Sequence, residues 1–156
     1  MESEDADLVE RSRGGDLSAF NQIVERYQSQ VYNLAARILG DCTAAQDVAQ
    51  DAFISAYKAL AGFRGGSLRA WIMRITANRS KDYIRASRRR HERSLDQSML
   101  NPSFSLPSRG PSPEQMAIGR ELQAEIQRGI LTLPEDQRTT LVLVDVQGMS
   151  YAEAAE

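Results

Sequence analysis

Residues 63–90 read FRGGSLRAWIMRITANRSKDYIRASRRR. The stretch holds nine of the chain's 19 basic residues (Arg64, Arg69, Arg74, Arg79, Lys81, Arg85, Arg88, Arg89 and Arg90) and one acid, Asp82. The whole chain carries a formal net charge of −2, so its positive charge is segregated here. Behind the loop that ends at Ser67, Leu68, Trp71, Ile72 and Ile75 recur at helical spacing, which predicts one long helix running to about Arg90. On it Arg74, Asn78, Lys81, Arg85 and Arg88 follow at steps of four, three, four and three and form a single polar stripe. A basic stripe on a slightly acidic chain points to a polyanion.

Upstream, the pattern is helical throughout. A short helix over about Asp5–Arg13 stops at Gly14-Gly15. Phe20, Ile23, Val24, Tyr27, Val31, Leu34, Ala35 and Ile38 then recur at three and four until Gly40, giving one apolar face. Thr43 with Gln46 three residues later resembles a capping box. The helix it opens has Ala45, Val48, Ala49, Ala52, Phe53, Ala56 and Leu60 as its inner face, and Asp47, Gln50, Asp51 and Ile54 on another. An apolar Ile54 inside an acidic surface is the composition of a protein-binding face; a merely solvated face is the alternative.

Downstream, residues 91–112 lose the helical period and gain Ser and Pro, which reads as a linker with isolated Met99, Leu100, Phe104 and Leu106. Ser112-Pro113-Glu114-Gln115 is a helix start. The helix that follows is expected to bury Met116, Ile118, Leu122, Ile126 and Ile130. After Leu133-Pro134 a second helix uses Leu141, Val142, Val144 and Val146 and ends near Gly148. Ser150 with Glu153 forms another capping box close to the last residue, Glu156. The fold class is therefore all-α, with two small helical domains: residues 1–92, a flexible linker over 93–112, and residues 113–156.

Composition narrows the chemistry. At 42% hydrophobic and 26% charged residues the chain is globular. No apolar run approaches the roughly 20 residues that span a bilayer, and the acidic start MESEDADLVERS is no signal peptide. A single cysteine, Cys42, and a single histidine, His91, make no disulfide and a poor metal site, so no cofactor is expected and a cytoplasmic protein is the default. There is no phosphate loop ending in Lys-Ser/Thr, and no HExxH, CxxC or GxSxG. An enzyme is not expected, and no catalytic residue is assigned. Arginine binds phosphate in bidentate fashion, asparagine reads a base edge, and Phe63 and Trp71 offer flat surfaces for an unstacked base. The competing reading is a solvated basic face with Trp71 in the core.

Residues DVAQDAFISAYKAL at 47–60, followed by FRGGSLRAWIMRITANRSKDYIR at 63–85, resemble the core of bacterial RNA polymerase sigma factors of the extracytoplasmic-function group. LTLPEDQRTTLVLVDVQGMSYAEAAE at 131–156 resembles the start of their second domain. The resemblance covers nearly the whole chain from about Asp16, with residues 91–112 matching only as a variable linker. It implies that Asp47, Gln50, Asp51 and Ile54 face the clamp helices of the polymerase's largest subunit. It also implies that the loop from Leu60 to Ser67, with Phe63, Arg64 and Ser67, and the following helix, with Trp71 and Asn78, capture a flipped base of the non-template strand of the minus-ten promoter element. Extruding a base costs a few kcal/mol, which phosphate contacts from Arg74, Arg79, Lys81, Arg85, Arg88, Arg89 and Arg90 would help to offset. An anti-sigma factor is a further implied partner; direct membrane insertion is not.

The family's second domain reads the minus-thirty-five element through a helix-turn-helix, whose second helix enters the major groove. Here six residues follow Ser150, so the expectation is a truncated motif without duplex reading, with Leu141, Val142 and Val144 partly uncovered. Two other readings stay open: a stand-alone regulator that binds duplex DNA without polymerase, and an interaction module held by an anti-sigma factor.

Overall fold

The computed structural model describes residues 2–93 and 113–155, with side chains from Glu4 to Arg93 and from Gly119 to Ala155. Seven α-helices and no strand occur among the described residues. α1 spans Glu2–Arg13, α2 Leu17–Leu39, α3 Cys42–Ala59 and α4 Leu68–Arg93. α5 spans Pro113–Thr132, α6 Glu135–Leu141 and α7 Tyr151–Ala155. The expected linker residues 94–112, including Met99, Leu100, Phe104, Leu106 and the cap Ser112, lie outside the described part, as do the side chains of Met116 and Ile118.

Local chemistry sets the helix ends. The Asp16 carboxylate accepts from the N–H groups of Ser18 and Ala19 at 2.9 and 3.2 Å and opens α2. Gly40 closes α2 in the left-handed region, at φ 68°. α3 departs from expectation: its cap is Asp41, which accepts from Thr43 and Ala44 at 2.8 and 3.0 Å, and not Thr43. A charged acceptor two residues earlier wins over the hydroxyl, and Thr43 becomes part of the first turn. Ser67 caps α4, accepting from the Ala70 N–H at 3.1 Å.

Helices α1–α4 form a bundle. Ile23, Val31, Leu34 and Ile38 of α2 meet Ala52 and Ala56 of α3 and Leu68, Ile72 and Met73 of α4, all buried. Alanines at Ala35, Ala36 and Ala45 let α2 and α3 approach closely around Val48. Thr76 and Ser80 are fully buried on α4, and their hydroxyls donate back to Ile72 and Thr76 carbonyls at 2.9 Å each, so neither leaves an unsatisfied group.

The second helical group packs on this bundle. Ile130, Val142, Leu143 and Met149 share one apolar cluster with α1–α4. α6 runs on through a single π-helical turn, Val142–Val146. Two expectations are corrected. Leu122 and Ile126, expected inside, are 57% and 50% exposed, because α5 turns Gln127 and Ile130 toward the bundle instead. Val142, expected to be partly uncovered, is fully buried against the bundle, while Leu141 and Val144 are half-buried. The capping box at the last helix is present: Glu153 accepts from the Ser150 N–H at 2.9 Å and donates its own N–H to Ser150 Oγ at 3.2 Å.

Candidate nucleic-acid and protein interfaces

The loop between the short turn Leu60–Gly62 and α4 uses Gly65 and Gly66 at φ 95° and 90°, a conformation few other residues adopt. Arg13 ties its base down, donating to the carbonyls of Leu60, at 3.1 Å, and Phe63. These partners lie 47 and 50 residues from Arg13, so no local pattern marks it for the role. Phe63, read as a flat stacking surface, is buried with its ring tilted against Trp71, centroids 5.1 Å apart. Arg64 and Ser67 are exposed and Trp71 is half-buried.

Along α4 the stripe is present but engaged. Asn78, Arg79, Arg85, Arg88, Arg89 and Arg90 are exposed, and Arg74 and Lys81 half-buried. Arg74 Nη1 donates to the Glu153 carbonyl at 3.0 Å. Lys81 Nζ lies 2.7 Å from Asp136 Oδ1, and Arg85 Nε donates to Glu135 Oε1 at 2.9 Å. Arg88 Nη1 sits 3.4 Å from Glu135 Oε2, close enough for an ion pair but without a hydrogen bond. The hydrogen bond from Lys81, reinforced by its charge, holds the Asp136 carboxyl below its ordinary range. Arg79 pairs with Asp82 at 3.5 Å on the same helix, and Arg90 lies over the Tyr83 ring at 6.0 Å. Between the two helical groups is a polar cavity of about 420 Å³, with Trp71, Arg74, Asn78 and Lys81 on one wall and Thr139, Thr140, Leu143 and Ala154 on the other. Glu135 and Asp136 stand in the first turn of α6, and their ion-pair partners are too distant in sequence for periodicity to reveal.

The face of α3 contrasts with this. Asp47, Gln50 and Asp51 are exposed, and Ile54 is 46% exposed. Beside them an open apolar groove of about 410 Å³ is lined by Leu17, Phe20, Val24, Phe53, Ile54 and Tyr57. Phe53 is half-buried at its floor, and Tyr57 meets Phe20 edge-on at 4.9 Å. Tyr57 follows Phe53 and Ile54 at four and three and so was legible in the pattern; Leu17, from another helix, was not. Among the described residues no group of His, Cys, Asp or Glu is arranged to hold a metal ion. None of the described helices is long and apolar enough to cross a membrane.

This order of helices matches known proteins. Residues 23–90 match the family model for sigma-70 region 2, and residues 123–156 that for sigma-70 region 4. The RNA polymerase sigma-H factor of Pseudomonas aeruginosa is 38% identical over 159 residues, covering 99% of this chain and 82% of that protein. The ECF RNA polymerase sigma-E factor of Escherichia coli is 40% identical over 156 residues, covering 95% and 79%. Among solved structures, an engineered region 2 of sigmaE in complex with GTAAAA is 43% identical, with a TM-score of 0.54 over 56% of this chain and 93% of that one. The Bartonella quintana sigma factor RpoE, in complex with the anti-sigma factor NepR, shares the fold at 22% identity, with a TM-score of 0.69 over 87% and 80%.

The chain belongs to the sigma-70 family of RNA polymerase sigma factors, in its extracytoplasmic-function group. Its relatives are transcription initiation factors rather than catalysts, and its function is that of a sigma factor.

Proposed function

We propose that residues 1–92 carry both recognition tasks of this sigma factor, joined by a linker over 93–112 to a second domain at 113–156. Asp47, Gln50, Asp51 and Ile54 of α3 dock on the clamp helices of core RNA polymerase, with Ile54 as the apolar anchor and the acids as rim. The loop from Leu60 to Ser67 and α4, through Phe63, Arg64, Ser67, Trp71 and Asn78, hold a base of the non-template minus-ten strand. Arg74, Arg79, Lys81, Arg85, Arg88, Arg89 and Arg90 hold its phosphates. The observation that carries this reading is the pairing of two exposed faces of opposite charge on adjacent helices, one with an apolar groove and one with an outward Asn78. The setting is the cytoplasm, where polymerase and promoter are met together. An anti-sigma factor is a second protein partner of this chain, and the exposed Leu122 and Ile126 are apolar anchors of the kind such a partner covers.

Two variants test the division of labour. Asn78→Ala is expected to leave core-polymerase binding intact and to reduce open-complex formation on a cognate promoter, read by reactivity of unpaired thymines. Asp51→Ala with Ile54→Ala is expected to lower affinity for core polymerase itself. Unchanged open-complex formation by Asn78→Ala would remove the base-capture role.

A further inference from the structure

Three of the seven donors assigned to strand phosphates already hold carboxylates of the second helical group. Lys81 meets Asp136 at 2.7 Å, and Arg85 and Arg88, three residues apart on one face of α4, both reach Glu135, at 2.9 and 3.4 Å. Carboxylate and phosphate oxygens satisfy the same guanidinium and ammonium donors. The two acids occupy the first turn of α6, where a negative charge is favoured by the helix end. They are delivered by contacts that need no ion pair. Gln127 donates to the Arg37 carbonyl at 3.0 Å, and Arg138 donates to the Ile38 carbonyl at 2.9 Å and to those of Leu131 and Leu133 at 2.8 and 3.0 Å. The last carbonyls of α2 thus seat the second domain with its acidic turn over the stripe.

We propose that Glu135 and Asp136 are an internal phosphate mimic: seated on Lys81, Arg85 and Arg88, they keep the chain on its own from holding single-stranded DNA. The proposal rests on the strand-binding reading of α4. The mimic is built to yield. The Asp136 side chain is 75% exposed, so its pair with Lys81 is screened by solvent and weak, and Arg85 and Arg88, at 53% and 61%, stay open to a competing anion although Glu135 itself is only 13% exposed. A strand that offers several phosphates at once, and releases condensed ions as it binds, displaces them. Strand and acidic turn cannot both occupy the same donors.

The test uses the full chain with Glu135→Gln and Asp136→Asn together, which keep side-chain shape and remove charge. Binding of a fluorescent single-stranded oligonucleotide carrying GTAAAA is followed by anisotropy across a salt series. The variant is expected to bind about three- to tenfold more tightly at low salt. It is also expected to show a steeper fall of affinity with salt, because the wild type must break its own ion pairs before it makes new ones. A control that neutralises two acids of the same domain away from the stripe, Glu121→Gln with Asp145→Asn, is expected to shift affinity less than twofold. Equal gains in variant and control would reduce the effect to net charge and overturn the mimic.

A second readout needs no DNA. Lys81 and Lys58 are the chain's only lysines. The acetylation rate of Lys81, relative to exposed Lys58, is expected to rise several-fold in the double variant and with added salt. A Lys81 rate unchanged by both would show that the clasp does not form, and would overturn the proposal. If Lys81 is released but no form of the chain binds the oligonucleotide, strand binding by α4 fails and the phosphate mimicry falls with it, while the clasp itself stands.

Discussion

The interior of the α1–α4 bundle and the seam between that bundle and the second domain are held by different physics. Inside the bundle, Leu34, Ile38, Ile72 and Met73 meet with almost no polar content beyond the self-satisfied Thr76 and Ser80. The seam has an apolar centre in Ile130, Val142, Leu143 and Met149, but its edges are ion pairs and side chains that cap carbonyls. Charge screening does not weaken apolar burial, whereas exposed ion pairs fade as the screening length shortens to about 8 Å at physiological ionic strength. The contrast predicts that salt loosens the seam before it touches the bundle.

The largest expected effect tests the bundle. Leu34→Ala removes a fully buried side chain from the C-terminal half of α2 and should cost about 2–5 kcal/mol in equilibrium urea unfolding. The loss should be the same at low and high salt. A bundle unfolding free energy that itself falls with salt, in wild type and variant alike, would show that bundle and seam unfold as one unit and break the contrast.

Arg138→Ala tests the seam. It removes donors to the carbonyls of Ile38, Leu131 and Leu133, so partly buried acceptors lose their partners. Such losses cost about 1–3 kcal/mol. Hydrogen exchange should locate the effect in α5 and α6, with protection of α2 and α4 retained. Uniform loss of protection across all helices would mean that Arg138 supports the bundle as well.

How much of this was legible depends on the range of the contacts. Phe20 to Ile38 repeat along one helix face, and that periodicity alone assigns α2 and its buried side. The Ser150–Glu153 box and the stop at Gly40 are likewise local chemistry. Leu122 and Ile126 show where the same logic fails. Their spacing is that of a buried face, but α5 turns Gln127 and Ile130 toward the bundle, where Gln127 caps the Arg37 carbonyl 90 residues away. The site divides in the same way. The order of basic residues on α4 and of acids on α3 follows from helical geometry. That Glu135 and Asp136 cover part of the α4 stripe depends on a tertiary packing that no short-range pattern encodes.

A smaller effect is expected where both regions meet. Gly40 ends α2 at φ 68°, and a Cβ there would lie 2.6 Å from Leu131 Cδ1. Gly40→Ala therefore strains the backbone by about 1–2 kcal/mol and pushes on the flexible end of Leu131. Thermal unfolding should fall modestly, with α5 amides losing more protection than α3 amides. If only the bundle were weakened, the contact with Leu131 would not contribute to docking.

The smallest effect is a pH dependence of the seam. Asp136 is held below its ordinary value of 3.8 chiefly by the hydrogen bond from Lys81, with Lys81 and Arg85 of α4 as the cations that face it. A carboxyl depressed in the docked state favours docking at pH above that ordinary value, and the contribution is lost as pH falls through its lower docked value. Protonation of Asp136 removes the negative partner of the Lys81 pair. Trp71, the chain's one tryptophan, lines the cavity at the seam and reports its opening through its emission. On acidification the wild type should show a seam-opening component that Asp136→Asn lacks, since that variant begins where the acidified wild type arrives. Because Asp136 is exposed, added salt should shrink the component, as it does for any screened pair. The same acid component in Asp136→Asn would assign the pH response to other carboxylates and leave Asp136 as a helix-start residue alone.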